Sequence, residues 1–128
     1  MSSVVLSLGS NCDSRYVETA ISMLAGLLND FNVSNIYPTP PAAGVGKPYD
    51  NAVATGEWAG TMESLNSLLK NYECSAGRDE AAREAGFVLI DIDIVVWDGA
   101  VVRPWDFSQS FFRIGYESVM QHSVPTAN

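Results

Sequence analysis

The chain has 128 residues, of which 47% are hydrophobic and 17% are charged. A chain of this length and composition can bury the core of one domain, so we expect a single folded domain over residues 1–128 rather than a disordered chain. Fifteen acidic residues against seven basic ones give a net charge of −8. This acidity disfavours binding to the phosphates of duplex nucleic acid and to anionic membrane surfaces.

The two cysteines, Cys12 and Cys74, are too few for a disulfide framework and are typical of reduced thiols. No apolar run approaches the ~18 residues that a membrane span needs. The apolar stretch near the N-terminus is not preceded by the basic segment of a secretory signal. We therefore expect a cytoplasmic protein, and the sequence leaves its oligomeric state open.

The hydrophobic pattern predicts secondary structure in the order β-α-β-β-α-β. Strands are predicted over residues 4–8, 31–37, 49–58 and 87–97. Helices with one apolar face are predicted over residues 17–28 and 62–72. Asp13 or Ser14 and then Thr61 are candidate helix caps, and Gly77 marks the end of the second helix. Asp98-Gly99 predicts a tight turn into a short returning strand.

This order of elements is that of the ferredoxin-like βαββαβ sandwich, an α+β fold. In such a fold two helices cover one face of the sheet, and we expect the other face to stay free. A short C-terminal extension follows, and its pattern between residues 107 and 120 leaves helix and strand open. Before the third strand, residues 38–48 contain four prolines and two glycines, which predicts an exposed loop.

Asp91 and Asp93 interrupt the last long apolar strand. Because side chains alternate along a strand, both carboxylates share a face, with their Cα atoms roughly 6–7 Å apart. The opposite face is wholly apolar and must pack on the helices. A divalent cation such as Mg²⁺ would neutralise the pair and keep positions for phosphate oxygens. The alternatives are two solvated acids, or an acid paired with Arg78 or Arg83.

Two weaker patterns are compatible with a binding site for a small molecule. Gly9, at the end of the first strand, permits close approach of the backbone to a ligand, although an ordinary turn explains it as well. Tyr49 and Asn51 share a strand face and could stack on and hydrogen-bond a heterocycle. The alternative is that Tyr49 packs on the preceding loop. His122, the one histidine, has no ligand or acid partner nearby in the sequence.

The chain resembles the 6-hydroxymethyl-7,8-dihydropterin pyrophosphokinases of folate biosynthesis. The resemblance runs from Val4 to Gly99 and rests on the order and spacing of five motifs: Leu8-Gly9-Ser10-Asn11, Tyr37-x-Thr39-Pro40-Pro41, Tyr49-x-Asn51, Glu73 with Gly77-Arg78, and Asp91-Ile92-Asp93. It implies the ferredoxin-like fold and transfer of pyrophosphate from ATP to a pterin. It also implies two Mg²⁺ ions as cofactors.

The same resemblance implies the roles of individual residues. Asp91 and Asp93 would be the metal ligands, and Arg78 would be a catalytic arginine. In the pterin site, Tyr49 would stack on the ring and Asn51 would bond its edge. The full implied set of pterin-binding residues is Gly9, Thr39, Pro40, Pro41, Tyr49, Asn51 and Phe112, with Phe111 as an alternative to Phe112.

Residues 84–89 depart from the family pattern of Arg-Trp-Gly-Pro-Arg-Thr. Val88 stands where an arginine belongs, and its predicted strand position points it to the apolar face beside Ile90 and Ile92. The segment from Arg103 to Asp106 lacks the histidine of the family, and the chain ends soon after it. We therefore expect a short, divergent member.

Three hypotheses stay open at this point. The first is a pyrophosphokinase of low activity, which the paired acids favour. The second is a non-catalytic member that binds a pterin-like heterocycle, which Val88 favours. The third is a module that binds a protein partner through its sheet face, which the apolar segment from Phe111 to Ile114 favours.

Overall fold

The computed structural model describes residues 1–41, 44, 46–77 and 84–123, and side chains as far as residue 121. Within these ranges the chain forms a mixed α+β structure around one antiparallel sheet. The elements are β1 (Ser2–Ser10), α1 (Ser14–Leu27), β2 (Asn29–Val33), β3 (Tyr37–Thr39), β4 (Tyr49–Trp58), α2 (Met62–Ser75), β5 (Asp91–Trp97), β6 (Ala100–Val101), α3 (Pro104–Ser108) and α4 (Ser110–Ser123).

The sheet has the strand order β2-β4-β1-β5-β6. The short strand β3 also pairs with β4. Strand β1 is central and pairs with β4 on one side and β5 on the other. In this register Gly9 lies opposite Asn51 on one neighbour and opposite Asp91 on the other. Residues far apart in the sequence thereby form one row across the sheet.

Helices α1 and α2 bury their apolar stripes against one face of the sheet. Leu24, Leu65 and Leu69 are fully buried there, together with Leu6 and Leu8 of β1. Side-chain oxygens satisfy free N–H groups at the start of each helix, since Asp13 accepts from Arg15 and Thr61 accepts from Ser64. The predicted caps are confirmed. None of the helices within the described ranges is long and apolar enough to cross a membrane.

Helix α4 covers part of the opposite face, so the expectation that this face stays free is wrong. Its Phe112 and Val119 bury themselves in a second cluster with Val53 and Val95. The close approach requires a glycine, because a Cβ at Gly115 would lie 2.7 Å from the Val53 side chain. The C-terminal extension is therefore helical from Ser110 to Ser123, and this helix contributes side chains to the core.

The predicted second strand is divided in two at Ser34. The backbone N–H of Ser34 donates to the carbonyl of Val53, while the Ser34 hydroxyl accepts from the backbone N–H of Val53. A side-chain oxygen thus replaces a carbonyl of the strand ladder at this point. The result is β2 before Ser34 and the short β3 after it.

The strand predicted from Phe87 begins four residues later, at Asp91. Before it, the backbone N–H of Val88 donates to the side chain of Asn11, 2.6 Å, and the N–H of Asn11 donates to the carbonyl of Val88, 3.0 Å. These bonds hold Val88 in a loop against the end of β1. Its predicted place on a buried strand face is wrong, and its side chain is half-buried.

The far end of β5 also departs from simple alternation. The register against β1 shifts between Val5 and Leu6. Val95 and Val96 consequently both join the cluster beside α4, and Trp97 packs toward α1 and α2. The turn that follows is as predicted: Asp98 and Gly99 both have positive φ, 48° and 78°, as a two-residue hairpin of type I′ requires.

Candidate functional site

A cavity of about 580 Å³ opens on the sheet face that carries α4, at the end of β1, β4 and β5. Alternate residues of the three strands point into it, namely Gly9, Tyr49, Asn51, Asp91 and Asp93. The proline-rich loop contributes a second wall, which contains Thr39, Pro40 and Pro41. The segment around α3 and α4 contributes a third, which contains Arg103, Trp105 and Phe111.

Gly9 forms part of the cavity floor between Tyr49 and Asn51. A Cβ at this position would lie 3.5 Å from Asn51 Oδ1 and 3.5 Å from Tyr49 Cδ2. These are ordinary contact distances, so an alanine could be accommodated without movement of the neighbouring atoms. Its volume would nevertheless occupy the space between the aromatic ring and the amide, and the glycine keeps that space open.

Asn51 is buried, with 3% of its surface exposed, and the protein fixes its orientation. Its amide nitrogen donates to Thr39 Oγ1 at 2.7 Å and to the carbonyls of Tyr37 and Tyr49, both at 3.2 Å. The amide oxygen is consequently turned toward Gly9. The site therefore presents an acceptor, rather than a donor, to a group in the cavity.

Tyr49 borders both the aromatic part and the acidic part of the cavity. Burial raises the pKa of its phenol, and the negative charge of Asp91 raises it further. The phenol is therefore neutral near pH 7. A neutral, partly exposed ring beside a fixed amide is suited to bind a flat, uncharged heterocycle.

Phe111, not Phe112, lines the cavity, and this corrects the assignment of Phe112. Phe112 is fully buried and stacks on Tyr116 with ring centroids 5.1 Å apart. Successive residues of a helix point about 100° apart, so only one of the two phenylalanines can face the cavity. The ring of Phe111 lies 5.9 Å from that of Trp105, which also lines the cavity.

Tyr37 fixes the start of α4 to the sheet. Its hydroxyl donates to the carbonyl of Phe111 at 2.6 Å and accepts from the backbone N–H of Gly115 at 3.0 Å. Burial raises the pKa of Tyr37 to about 12, although the bond from Gly115 lowers it. The hydroxyl is thus protonated near pH 7 and keeps Phe111 in place. Sequence reasoning assigned no such role to Tyr37.

Asp91 and Asp93 lie on one face of β5, as predicted, and both border the cavity. Their side chains are 40% and 17% exposed. The ammonium of Lys70 contacts both, at 3.7 Å from Asp91 Oδ1 and 3.1 Å from Asp93 Oδ1. Arg103 approaches the same Asp93 oxygen to 3.9 Å. The predicted partners at positions 78 and 83 lie outside the described residues.

Lys70 reaches the acids around the edge of the sheet. At Ile92, strand β5 has a neighbouring strand on one side, which is β1. The backbone N–H and carbonyl of Ile92 point to the other side, away from β1. Glu73 accepts from that N–H and Lys70 donates to that carbonyl, both at 2.9 Å. Lys70 and Glu73 are also paired with each other at 2.9 Å. One turn of α2 thereby substitutes for a neighbouring strand.

The charges around Lys70 determine its protonation. Burial lowers its pKa, but the hydrogen bond to Glu73 and the charge of Asp93 outweigh burial and raise it. Lys70 is therefore a fixed positive charge. A sequence signal was present: Leu65, Leu69 and Glu73 follow one another at intervals of four, which places an acid on the buried face of the helix.

A second cavity of about 380 Å³ adjoins the first at Asp93 and Arg103, which border both. Its other side is formed by α2, including Asn66 and Lys70. Arg103 is held there by Asp106, whose carboxylate accepts from Arg103 Nε at 3.1 Å. Arg103 and Asp106 were not among the predicted site residues, because their position depends on how the extension folds back.

The donor set fits a magnesium ion bound together with phosphates. Within the described residues no group of three or more His, Cys, Asp and Glu side chains is placed to enclose a metal. Mg²⁺ requires less than this, since one or two carboxylates suffice when phosphate oxygens and waters complete the octahedron. Asp91 and Asp93 are such a pair. Arg78, predicted to be catalytic, lies outside the described residues.

The comparison with protein families agrees with the motifs and the geometry. The family model described as 7,8-dihydro-6-hydroxymethylpterin-pyrophosphokinase (HPPK) matches residues 5–125 of the chain. The search of curated proteins gave no match. Because the family model covers almost the whole sequence, the chain belongs to the HPPK family.

Proposed function

We propose that this protein transfers pyrophosphate from ATP to the hydroxymethyl group of 6-hydroxymethyl-7,8-dihydropterin, a step of folate biosynthesis, and that it does so slowly. One observation carries the proposal: a single cavity holds both the Tyr49–Asn51 pair and the Asp91–Asp93 pair. The first pair is suited to a flat heterocycle and the second to a metal–phosphate group. Membership of the HPPK family supports this pairing of ligands.

The proposed fold follows the same family. The strand order β2-β4-β1-β5, with α1 and α2 on one face, supports a ferredoxin-like arrangement for the core. The family match over residues 5–125 supports a single pyrophosphokinase-like domain. In this arrangement α4 is an addition on the second face, and it supplies the aromatic wall of the cavity.

The pterin would bind in the part of the cavity between the proline-rich loop and α4. The volume of about 580 Å³ falls within the usual range for small-molecule sites. Tyr49 and Phe111 would contact the faces of the ring, and the Asn51 amide oxygen would accept from an N–H on its edge. Thr39, Pro40 and Pro41 would form the remaining wall, and Gly9 would leave room for the ring.

ATP would bind on the acidic side, with its phosphates toward Asp91 and Asp93. Mg²⁺, two ions by family resemblance, would be held by these carboxylates and would neutralise phosphate charge in the reaction. Lys70 and Arg103 are the described cations beside the acids. Arg78 would be a further catalytic cation.

Slow turnover is expected because Val88 stands where the family pattern has an arginine. Removing one group that stabilises developing charge reduces the rate by about 10²–10³-fold in well-studied enzymes. Val88 offers no charge, and its backbone is bound to Asn11. The same observation favours the second candidate function, in which the protein binds a pterin-like heterocycle or a protein partner without transfer.

The test is release of AMP from ATP in the presence of 6-hydroxymethyl-7,8-dihydropterin and Mg²⁺. We expect turnover that depends on the pterin but lies below the common enzyme range of roughly 1–10³ s⁻¹. Calorimetry with the pterin, with and without Mg²⁺ and a non-hydrolysable ATP analogue, separates the two candidates. Tight pterin binding with no AMP release would favour the binding protein.

A further inference from the structure

Lys70 has an unusual position for a residue of a proposed metal site. Its ammonium lies 3.1 Å from Asp93 and 3.7 Å from Asp91, the two carboxylates that would hold a divalent ion. A cation bound between these acids would meet the ammonium at close range, in a partly buried place where charges are weakly screened. Lys70 and the ion therefore compete for the same oxygens.

We propose that Lys70 is an internal counter-cation of the Asp91–Asp93 pair, which a divalent ion must displace in order to bind. The inference rests on the proposed function for the assignment of the two acids as metal ligands. Lys70 thereby weakens binding of the divalent ion alone. Full occupancy by the ion then requires the added negative charge of nucleotide phosphates.

The surroundings of Lys70 hold it near the acids in the absence of a metal. Besides Asp93, its ammonium donates to Glu73 and to the carbonyl of Ile92, both at 2.9 Å. Three acceptors thus satisfy the three donors of the ammonium. The position is defined by hydrogen bonds and is not an incidental contact between surface charges.

The structure also provides room for the displaced side chain. The second cavity, of about 380 Å³, adjoins Lys70 on the side of Asn66 and Glu63. These residues lie one and two turns earlier on α2, on the same side of the helix as Lys70. The lysine can therefore release Asp93 by rotating its side chain, without movement of the helix backbone.

The experiment measures the affinity of the full chain for Mn²⁺ alone, by the electron paramagnetic resonance signal of the free ion. In Lys70→Gln the charge is removed but an N–H donor for Ile92 remains, and we expect affinity to rise about tenfold or more. Lys70→Arg keeps the charge and serves as the matched control. Because the positive charge stays beside the acids, we expect no gain in affinity over the wild type.

Two results would overturn the proposal. Equal or weaker Mn²⁺ binding by Lys70→Gln, with a folded chain by circular dichroism, would mean that Lys70 has only a structural role. Unchanged binding in the Asp91→Asn/Asp93→Asn double variant would mean that the ion binds elsewhere. Neither measurement involves pterin or ATP, so failure of the proposed activity would leave this result unaffected, and the reverse also holds.

A measurement on the wild-type chain covers the case in which Lys70→Gln does not fold. The ¹⁵Nζ resonance of Lys70, assigned by its loss in Lys70→Arg, reports the surroundings of the ammonium. Saturating Mg²⁺ should shift this resonance as the contact with Asp93 is lost. A resonance that stays in place while Mg²⁺ binds would contradict displacement.

Discussion

The two faces of the sheet are built on different principles. The face under α1 and α2 is an apolar core, in which Leu6, Leu24 and Leu69 are fully buried. The face under α4 combines a smaller apolar cluster with a cavity that contains amides, phenols and charges. The first face is packed as an apolar core, and the second also holds the proposed ligand site. We therefore expect substitutions of fully buried side chains to reduce stability, and substitutions of cavity-lining side chains to reduce ligand binding.

The largest effect should come from the helical face. Leu69→Ala removes a fully buried side chain between α2 and the sheet, and we expect it to lower the free energy of unfolding by about 2–5 kcal/mol. Urea denaturation measures this change. Pterin affinity, measured on the fraction that stays folded, should be unchanged. A loss of pterin affinity in this variant would contradict the separation of stability from binding.

A selective loss of binding should come from Tyr49→Ala on the cavity face. The substitution removes the half-buried ring beside Asn51, and we expect pterin affinity to fall by about 2–3 kcal/mol, or roughly 30–150-fold. Calorimetry measures the affinity, and thermal unfolding should show little change. Phe112→Leu is the contrast, since it should reduce stability more than binding. Normal pterin affinity in Tyr49→Ala would exclude the proposed site.

Gly115→Ala should affect both properties, because Gly115 lies where α4 meets the sheet. Its new Cβ would lie 2.7 Å from the Tyr37 hydroxyl and from Val53, so the helix must shift. We expect a loss of about 1–3 kcal/mol in the free energy of unfolding. Movement of α4 would also displace Phe111, so pterin affinity should fall with stability. Gly26→Ala is the matched control, because a Cβ there has open space.

Tyr37→Phe tests the contact between α4 and the sheet with a smaller structural change. It removes the hydroxyl that bonds Phe111 and Gly115 while keeping the ring, and we expect a loss of about 1–2 kcal/mol in stability. The pterin KM should rise, since Phe111 would be held less firmly. An increase in KM without any change in stability would indicate that Tyr37 contacts the ligand itself.

The smallest effect on stability should come from Val88→Arg. Had Val88 been on the buried face of a strand, an arginine there would have been costly. In the loop its side chain is half-buried and its backbone holds the bonds to Asn11, so we expect a change within about 0.5 kcal/mol. Turnover, measured as AMP release, should rise because the substitution restores the arginine of the family pattern. A large loss of stability in urea denaturation would contradict the placement of Val88.

Regular patterns account for what the sequence could predict. The apolar stripes of α1 and α2, their caps and the Asp98-Gly99 turn depend on neighbours within a few residues, and each was predicted correctly. The shared face of Asp91 and Asp93 follows from strand alternation alone. In the cavity, the two strand motifs and the proline-rich loop come together as the family resemblance implied.

The errors arose where distant segments decide a local structure. The side chain of Asn11 bonds the backbone of Val88, which therefore lies in a loop and not in the strand. The register shift against β1 places Val96 on the face covered by α4. Phe111 was not distinguished from Phe112 because the pattern of residues 107–120 left helix and strand open, so the facing side chain could not be assigned. Lys70 was missed because its position depends on which edge of β5 is open, and strand order is not a local property of sequence.

The bonds from Lys70 and Glu73 to Ile92 also bear on self-association. An open strand edge can pair with the edge of another molecule and so begin aggregation. Here the outward N–H and carbonyl of Ile92 are already occupied by α2. Lys70→Ala, which removes the donor to this carbonyl, would expose it at the strand edge, so we expect that variant to aggregate more as the protein concentration rises, whereas Lys70→Gln keeps a donor for it.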